Sequence, residues 1–238
     1  MKQQRVIIIG AGLGGLECGY ILAKNGLKVT VLEREAQVGG CLQTFRRGAA
    51  LFDTGFHYVG GLNEGESLHT LFSYFGLMNL PWKQLDKDCF DEVVIGKDTF
   101  RYANGHQAFA ETMGTYFPKE RANLKRYAAF LKQVGDGIFG VFGDGESRKR
   151  THELLSRPAH AFLSETIGDP MLRKVLSGTS LKMELNAATL PLYTFAQIND
   201  SFIRSAWRLR GGGQQIADKL VEAIQAMGGE VKTRATVT

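Results

Sequence analysis

The chain has 238 residues, 44% hydrophobic and 22% charged, an ordinary globular balance with length for one large domain or two modest ones. Its net charge of +5 comes from scattered basic residues, and the one dense run, Arg148-Lys149-Arg150, reads as a solvated loop, so no nucleic-acid partner is expected and contact with an anionic membrane face is left open. The three cysteines, Cys18, Cys41 and Cys89, have neither metal-ligand spacing nor the even count of a disulfide set, and no stretch reaches the about 18 apolar residues of a membrane span.

The first element is Val6-Ile7-Ile8-Ile9, which reads as a buried parallel strand. It is too short for a signal peptide and runs straight into glycines, so the chain reads as cytoplasmic. Gly10-Ala11-Gly12-Leu13-Gly14-Gly15 follows, with G-x-G-x-x-G spacing at Gly10, Gly12 and Gly15. Gly10 permits the tight turn, Gly12 lets the backbone approach a pyrophosphate, and Gly15 lets the next helix pack close on the strand. That helix, Leu13 to Lys24, aims free N–H groups and its positive dipole end at the phosphates. Asn25-Gly26 ends it, Leu27 to Leu32 is the second strand, and Glu33 closes that strand where a carboxylate can accept both ribose hydroxyls of an adenosine. An acid there disfavours a 2′-phosphate, so an NADP site in this crevice is not expected. Cys18, on the helix, should pack as a small apolar residue. Gly39-Gly40, read alone, is an ordinary turn, with Cys41 beside it.

Residues 63–205 read as an inserted α+β section. Helices are predicted over Ser67–Phe75, Gln107–Tyr116, Lys119–Val134, Pro158–Ile167 and Pro170–Gly178. Asp91–Ile95 and Thr99–Tyr102 form a hairpin around Gly96-Lys97-Asp98. Phe109, Met113, Tyr116 and Phe117 mark a core face, and the glycine- and charge-rich residues 136–151 a mobile loop. From residue 206 the chain returns to the nucleotide fold: Gly211-Gly212-Gly213 opens a helix from Gln214 to Met227, and Glu230 to Val237 is a final strand. The expected domains are thus 1–62 and 206–238, which together bind a dinucleotide, and 63–205, which serves the substrate.

The stretch from Glu33 to Gly40 matches an E-x-x-x-x-x-G-G pattern and resembles the amine oxidase and phytoene desaturase group of FAD enzymes. Phe52-Asp53-Thr54-Gly55-Phe56-His57-Tyr58-Val59-Gly60-Gly61 resembles the retinol saturases (all-trans-retinol 13,14-reductases) of that group. Phe117-Pro118-Lys119-Glu120, Arg210-Gly211-Gly212-Gly213 and the closing Ala226 to Val237 agree. An aspartic-protease reading of Asp53-Thr54-Gly55 fails because only one such triplet exists and that chemistry needs two carboxylates.

The resemblance implies a Rossmann-like FAD/NAD(P)-binding α/β fold of the three-layer ββα, glutathione-reductase type. Its cofactor would be FAD, with NAD or NADP as an electron partner. Gly10, Ala11, Gly12, Leu13, Gly14, Gly15, Glu33, Arg34, Gly39, Gly40, Cys41 and Val237 would hold the FAD, Val237 through a backbone amide at the adenine. His57 is the candidate near the flavin or substrate, its other reading being a hydrogen-bonded structural histidine; His69, His106, His152 and His160 read as structural or exposed. The substrate would be an apolar isoprenoid polyene, with one carbon–carbon double bond saturated or introduced, and Phe195, Phe202 and Trp207 could line a tunnel for it. A flavin amine oxidase, a polyene cis–trans isomerase and an inactive fragment remain alternatives. Related enzymes continue for about as long again, so the ending at Thr238 reads as a truncation. The oligomeric state is not legible.

Overall fold

A computed structural model describes residues 4–138, 142–184, 186 and 188–238. The elements, in chain order, begin with β1 (Arg5–Ile9), α1 (Leu13–Lys24), β2 (Lys28–Leu32), β3 (Thr44–Arg47), β4 (Ala50–Asp53), β5 (Val59–Gly60) and α2 (Ser67–Tyr74). Then come β6 (Trp82–Gln84), β7 (Asp91–Ile95), β8 (Asp98–Tyr102), α3 (His106–Tyr116), α4 (Arg121–Asp136), α5 (Gly145–Ser156), α6 (Ala159–Thr166) and α7 (Pro170–Leu176). The last are α8 (Leu192–Arg204), β9 (Ala206–Leu209), α9 (Gln214–Ala226) and β10 (Glu230–Lys232). The chain divides into two compact units, Met1–Tyr58 with His69–Lys83 and Arg208–Thr238, and Val59–Leu68 with Gln84–Trp207.

The first unit is built on a parallel sheet in the order β1-β2-β10, with Val6 opposite Val29 and Val231 opposite Val31. Helices α1 and α9 pack on one face through Leu16, Gly19 and Ala23 of the first and Ile216, Ala217, Leu220 and Ile224 of the second. Val29 and Val31 are fully buried. Gly19 sets the spacing: a Cβ there would lie 3.0 Å from Ile224 Cδ1 and 3.3 Å from Val31 Cγ2. The expectation of a buried first strand is corrected, because among the described residues β1 lies at the edge of the sheet, though its parallel pairing with β2 is as expected. Ile8 faces α1, while Ile7 and Ile9 alternate to the opposite face and are 67% and 69% exposed. The final strand is shorter than expected, since Arg234 turns into left-handed φ at 56° after Lys232. Cys18 is also corrected: it sits on the exposed side of α1 rather than in the core.

The second unit packs α3 against α4 and α4 against α8. Phe109, Met113, Leu131, Leu172 and Phe195 are fully buried, whereas Tyr116 is 39% exposed and leaves the expected core face to its neighbours. The buried Tyr102 and Tyr127 add aromatic bulk, and the Tyr102 hydroxyl donates to the Val175 carbonyl at 2.6 Å. The hairpin β7–β8 turns at Gly96 with φ +64°.

The stretch 136–151, expected as a loop, holds the start of α5, because the Asp144 side chain accepts the Ser147 N–H at 2.8 Å and caps a helix there; residues 139–141 of that stretch lie outside the described residues. Residues 192–204, for which the sequence reading has no helix, form α8, whose buried face includes the polar Asn199 and Asp200. The Asp200 carboxylate is 2.7 Å from His106 Nε2 and 2.6 Å from Arg204 Nε. These partners make its burial tolerable.

Candidate functional site: a dinucleotide crevice

The site begins where β1 ends. Gly10 turns with φ +98° and donates its N–H to the Leu32 carbonyl at 2.7 Å, tying the turn to the tip of β2. A Cβ on Gly15 would stand 2.1 Å from the Gly10 carbonyl oxygen, so only glycine lets α1 start this close to the turn. Gly12 and Gly14 face open space, since a Cβ on either would meet nothing within 4 Å. No side chain caps α1 and no acid sits in its first turn, so its N-terminal dipole is left for an anion.

A second loop completes the turn. Gly39, at φ 111°, donates its N–H to the Ala11 carbonyl at 2.7 Å and bridges Gly12. A Cβ on Gly40 would come within 3.4 Å of Gly12 Cα. The two glycine motifs are therefore one structure, and Gly39-Gly40 is more than an ordinary turn.

Glu33 stands at the end of β2. Its Oε2 accepts the Ala11 N–H at 2.8 Å and its Oε1 accepts the Glu35 N–H at 2.9 Å. These backbone donors, Glu35 first and Ala11 second, hold the carboxyl below the usual glutamate range, with Arg34 adding to the effect. Each oxygen retains acceptor capacity for a further donor. The segment after β10 runs alongside, with Arg234 N–H donating to the Glu35 carbonyl at 3.0 Å and Ala235 N–H to the Glu33 carbonyl at 2.8 Å.

Together these segments wall a cleft of about 670 Å³, within the range of about 300–1,000 Å³ usual for small-molecule sites. Of the sequence-predicted residues, Gly10, Glu33, Arg34, Gly40, Cys41 and Val237 line it. Ala11, Gly12, Leu13, Gly14, Gly15 and Gly39 are not among the lining residues; they form the adjoining glycine loops and the start of α1. His57 does not line it; its Nδ1 accepts the N–H of Tyr58 at 2.9 Å. Sequence reasoning did not select Ile9, Leu32, Glu35, Gln43, Thr54, Ala235 or Thr236. Ile9, Leu32 and Glu35 flank selected residues and could have been found by adjacency; Gln43 and Thr54 arrive through tertiary folding alone.

In the second unit Phe195 and Phe202 are buried, and a cavity of about 210 Å³ has Phe195, His160 and Glu184 in its wall. Neither Phe202 nor Trp207 lines that cavity. The Trp207 indole N–H donates to Asn63 Oδ1 at 3.2 Å.

Residues 8–75 match the family described as an NAD(P)-binding Rossmann-like domain. The chain is similar to the all-trans-retinol 13,14-reductases. It is 30% identical to the human enzyme over 98% of this chain, and 29% identical to the Danio rerio enzyme over 97%. It spans 41% of the length of each of these relatives. Among solved structures, cyclohexylamine oxidase from Brevibacterium oxydans superimposes with a TM-score of 0.62 at 20% identity, covering 96% of this chain and 50% of that one. That likeness bears on the fold. The Rossmann-like α/β fold and the resemblance to retinol saturases are thereby borne out. Among the described residues, no helix is long and apolar enough to cross a membrane.

Proposed function

We propose that this chain carries the FAD-binding portion of an oxidoreductase that saturates or introduces a carbon–carbon double bond in an apolar isoprenoid polyene of the retinoid or carotenoid class. The observation that carries the reading is the crevice itself: an uncapped helix start behind two interlocked glycine loops, with the Glu33 carboxylate at its rim. The residues fit the group. Gly12 and Gly14 leave room for a diphosphate, α1 supplies positive potential, and Glu33 supplies an ionised acceptor for ribose hydroxyls. The similarity to retinol reductases along nearly the whole chain supports the substrate class. When bound, FAD supplies hydride transfer; the protein contributes binding, orientation and electrostatics. Within this chain, Glu33 and the glycine turn do the binding, and Gly40, Cys41, Gln43 and Thr54 form the facing wall.

The test is an FAD titration of the purified protein followed by flavin fluorescence. Binding should saturate, and Glu33→Ala should weaken it by about 1.5–3 kcal/mol, the usual worth of hydrogen bonds to a charged group. Absence of saturable binding sinks the reading. With flavin bound, anaerobic reoxidation of the chemically reduced protein by all-trans-retinol marks saturation, and bleaching of the oxidised protein by a polyene marks desaturation. Bleaching by a primary amine instead would assign an amine oxidase.

A further inference from the structure

Asp53 belongs to no protease dyad, yet it occupies a defined place in the first unit. Its side chain is only 12% exposed. Oδ1 accepts the Gly213 N–H at the start of α9 at 2.7 Å, and Oδ2 faces the Arg208 guanidinium at 3.5 Å. The glycines that open α9 converge on this carboxylate. Gly212 holds φ +87°, and a Cβ there would lie 2.5 Å from Thr44 Cγ2 and 2.9 Å from Asp53 Oδ1. A Cβ on Gly213 would lie 2.9 Å from Phe56 Cβ and 3.0 Å from the Leu42 carbonyl oxygen.

The residues after Asp53 build the wall of the crevice. Thr54 lines the cleft and its N–H donates to the Gln43 carbonyl at 2.9 Å. A Cβ on Gly55 would lie 3.3 Å from the Cys41 carbonyl oxygen, so this loop rests directly on Cys41. The other end of the same clasp reaches the second glycine loop, because a Cβ on Gly39 would lie 3.2 Å from Ala217 Cβ and 3.3 Å from Gln214 Oε1 on α9. One carboxylate thus fixes α9, which backs Gly39, to the loop that carries Thr54 and supports Cys41.

We infer that Asp53 is a positioning residue of the dinucleotide crevice: by accepting the Gly213 N–H it sets the wall formed by Gly40, Cys41, Gln43 and Thr54 against the glycine turn. The inference rests on the proposed cofactor site and adds the group that holds the site's far wall in place. Asp53 does not itself line the cleft.

The experiment has two readouts on the wild type, Asp53→Ala, Asp53→Asn and Glu33→Ala. The first is FAD affinity. Asp53→Ala should weaken it roughly tenfold to a hundredfold, the equivalent of losing one charged hydrogen bond, while Asp53→Asn, which keeps an acceptor for Gly213, should restore most of the loss. The second is the rate at which a maleimide labels Cys41 in the apo protein, read residue by residue by mass spectrometry. Cys41 and Cys18 are both exposed, and Cys18 lies on α1 as an internal control. Asp53→Ala should accelerate Cys41 and leave Cys18 unchanged, with Asp53→Asn at the wild-type rate. Acceleration of both thiols reports unfolding, and the Asn variant then decides: impairment equal to that of Ala overturns the acceptor role. Unchanged affinity and unchanged Cys41 labelling in Asp53→Ala, with Glu33→Ala still weakened, overturns the inference and leaves the cofactor reading standing. A wild type that binds no FAD removes that reading and this inference together.

Discussion

Gly15 has no side chain because the Gly10 carbonyl oxygen occupies the space, 2.1 Å from where a Cβ would be. Gly15→Ala should therefore force the turn apart and cost about 1–3 kcal/mol, the usual penalty of overpacking, measurable by urea unfolding. An unchanged midpoint would mean the helix can slide away at no cost. Glu33 illustrates a different dependence. Its carboxylate is held by two backbone N–H groups, so its folded pKa lies below the ordinary 4.5. The stabilisation it contributes is complete above that ordinary value and is lost as pH falls through the lowered folded value. A comparison of wild type with Glu33→Gln should show a stability difference that is flat at neutral pH and shrinks only in acid. A difference that grew in acid would contradict the assignment. Both residues were legible in the sequence, because spacing within about twenty residues defines the motif. Their partners were only partly so: the Glu35 donor is two residues away, whereas the Ala11 donor, 22 residues off, and the Gly39 loop bridging Gly12 are tertiary events.

Elements were legible where their signals are local. Helix α1 runs over the predicted residues, Leu13–Lys24, because glycine turn, apolar spacing and Asn25-Gly26 all lie within one segment. Helix α5 was hidden by its polar, charged sequence, and its start rests on the Asp144 cap. Asp144→Ala should cost about 0.5–2 kcal/mol and fray that helix, seen as faster amide exchange over residues 145–148. Exchange rates that stay the same would show that packing, rather than the cap, fixes its start. Helix α8 was missed for another reason. Asn199 and Asp200 interrupt its apolar face; Arg204, one turn on, meets Asp200 locally, but the other partners come from the fold, Thr179 donating to Asn199 Oδ1 at 2.8 Å and His106 meeting Asp200. Gly135 on α4 makes room for that carboxylate, since a Cβ there would lie 1.7 Å from Asp200 Oδ2.

At the scale of the whole molecule, the second unit carries a core of its own, to which Phe195 belongs. Phe195 is fully buried among α8 and its neighbours, and truncating it should cost about 3–5 kcal/mol, as large-to-small core changes do. Phe195→Ala should lower the melting temperature markedly; a small shift would show that the cavity wall to which Phe195 contributes adapts to the loss. The sequence by itself determined the glycine turn, the acid that closes the second strand, the alternation of strand and helix at both ends, and the similarity to retinol reductases. Each depends on residue types at short, fixed spacing, which the chain carries along its length. The tertiary structure alone decided that Gly39 closes on Ala11, that Gln43 and Thr54 enter the cleft, that Asp53 clasps Gly213, and that Ile7 and Ile9 face outward. Those are meetings between segments up to 160 residues apart, set by how helices and loops pack on the sheet, and no local pattern encodes them.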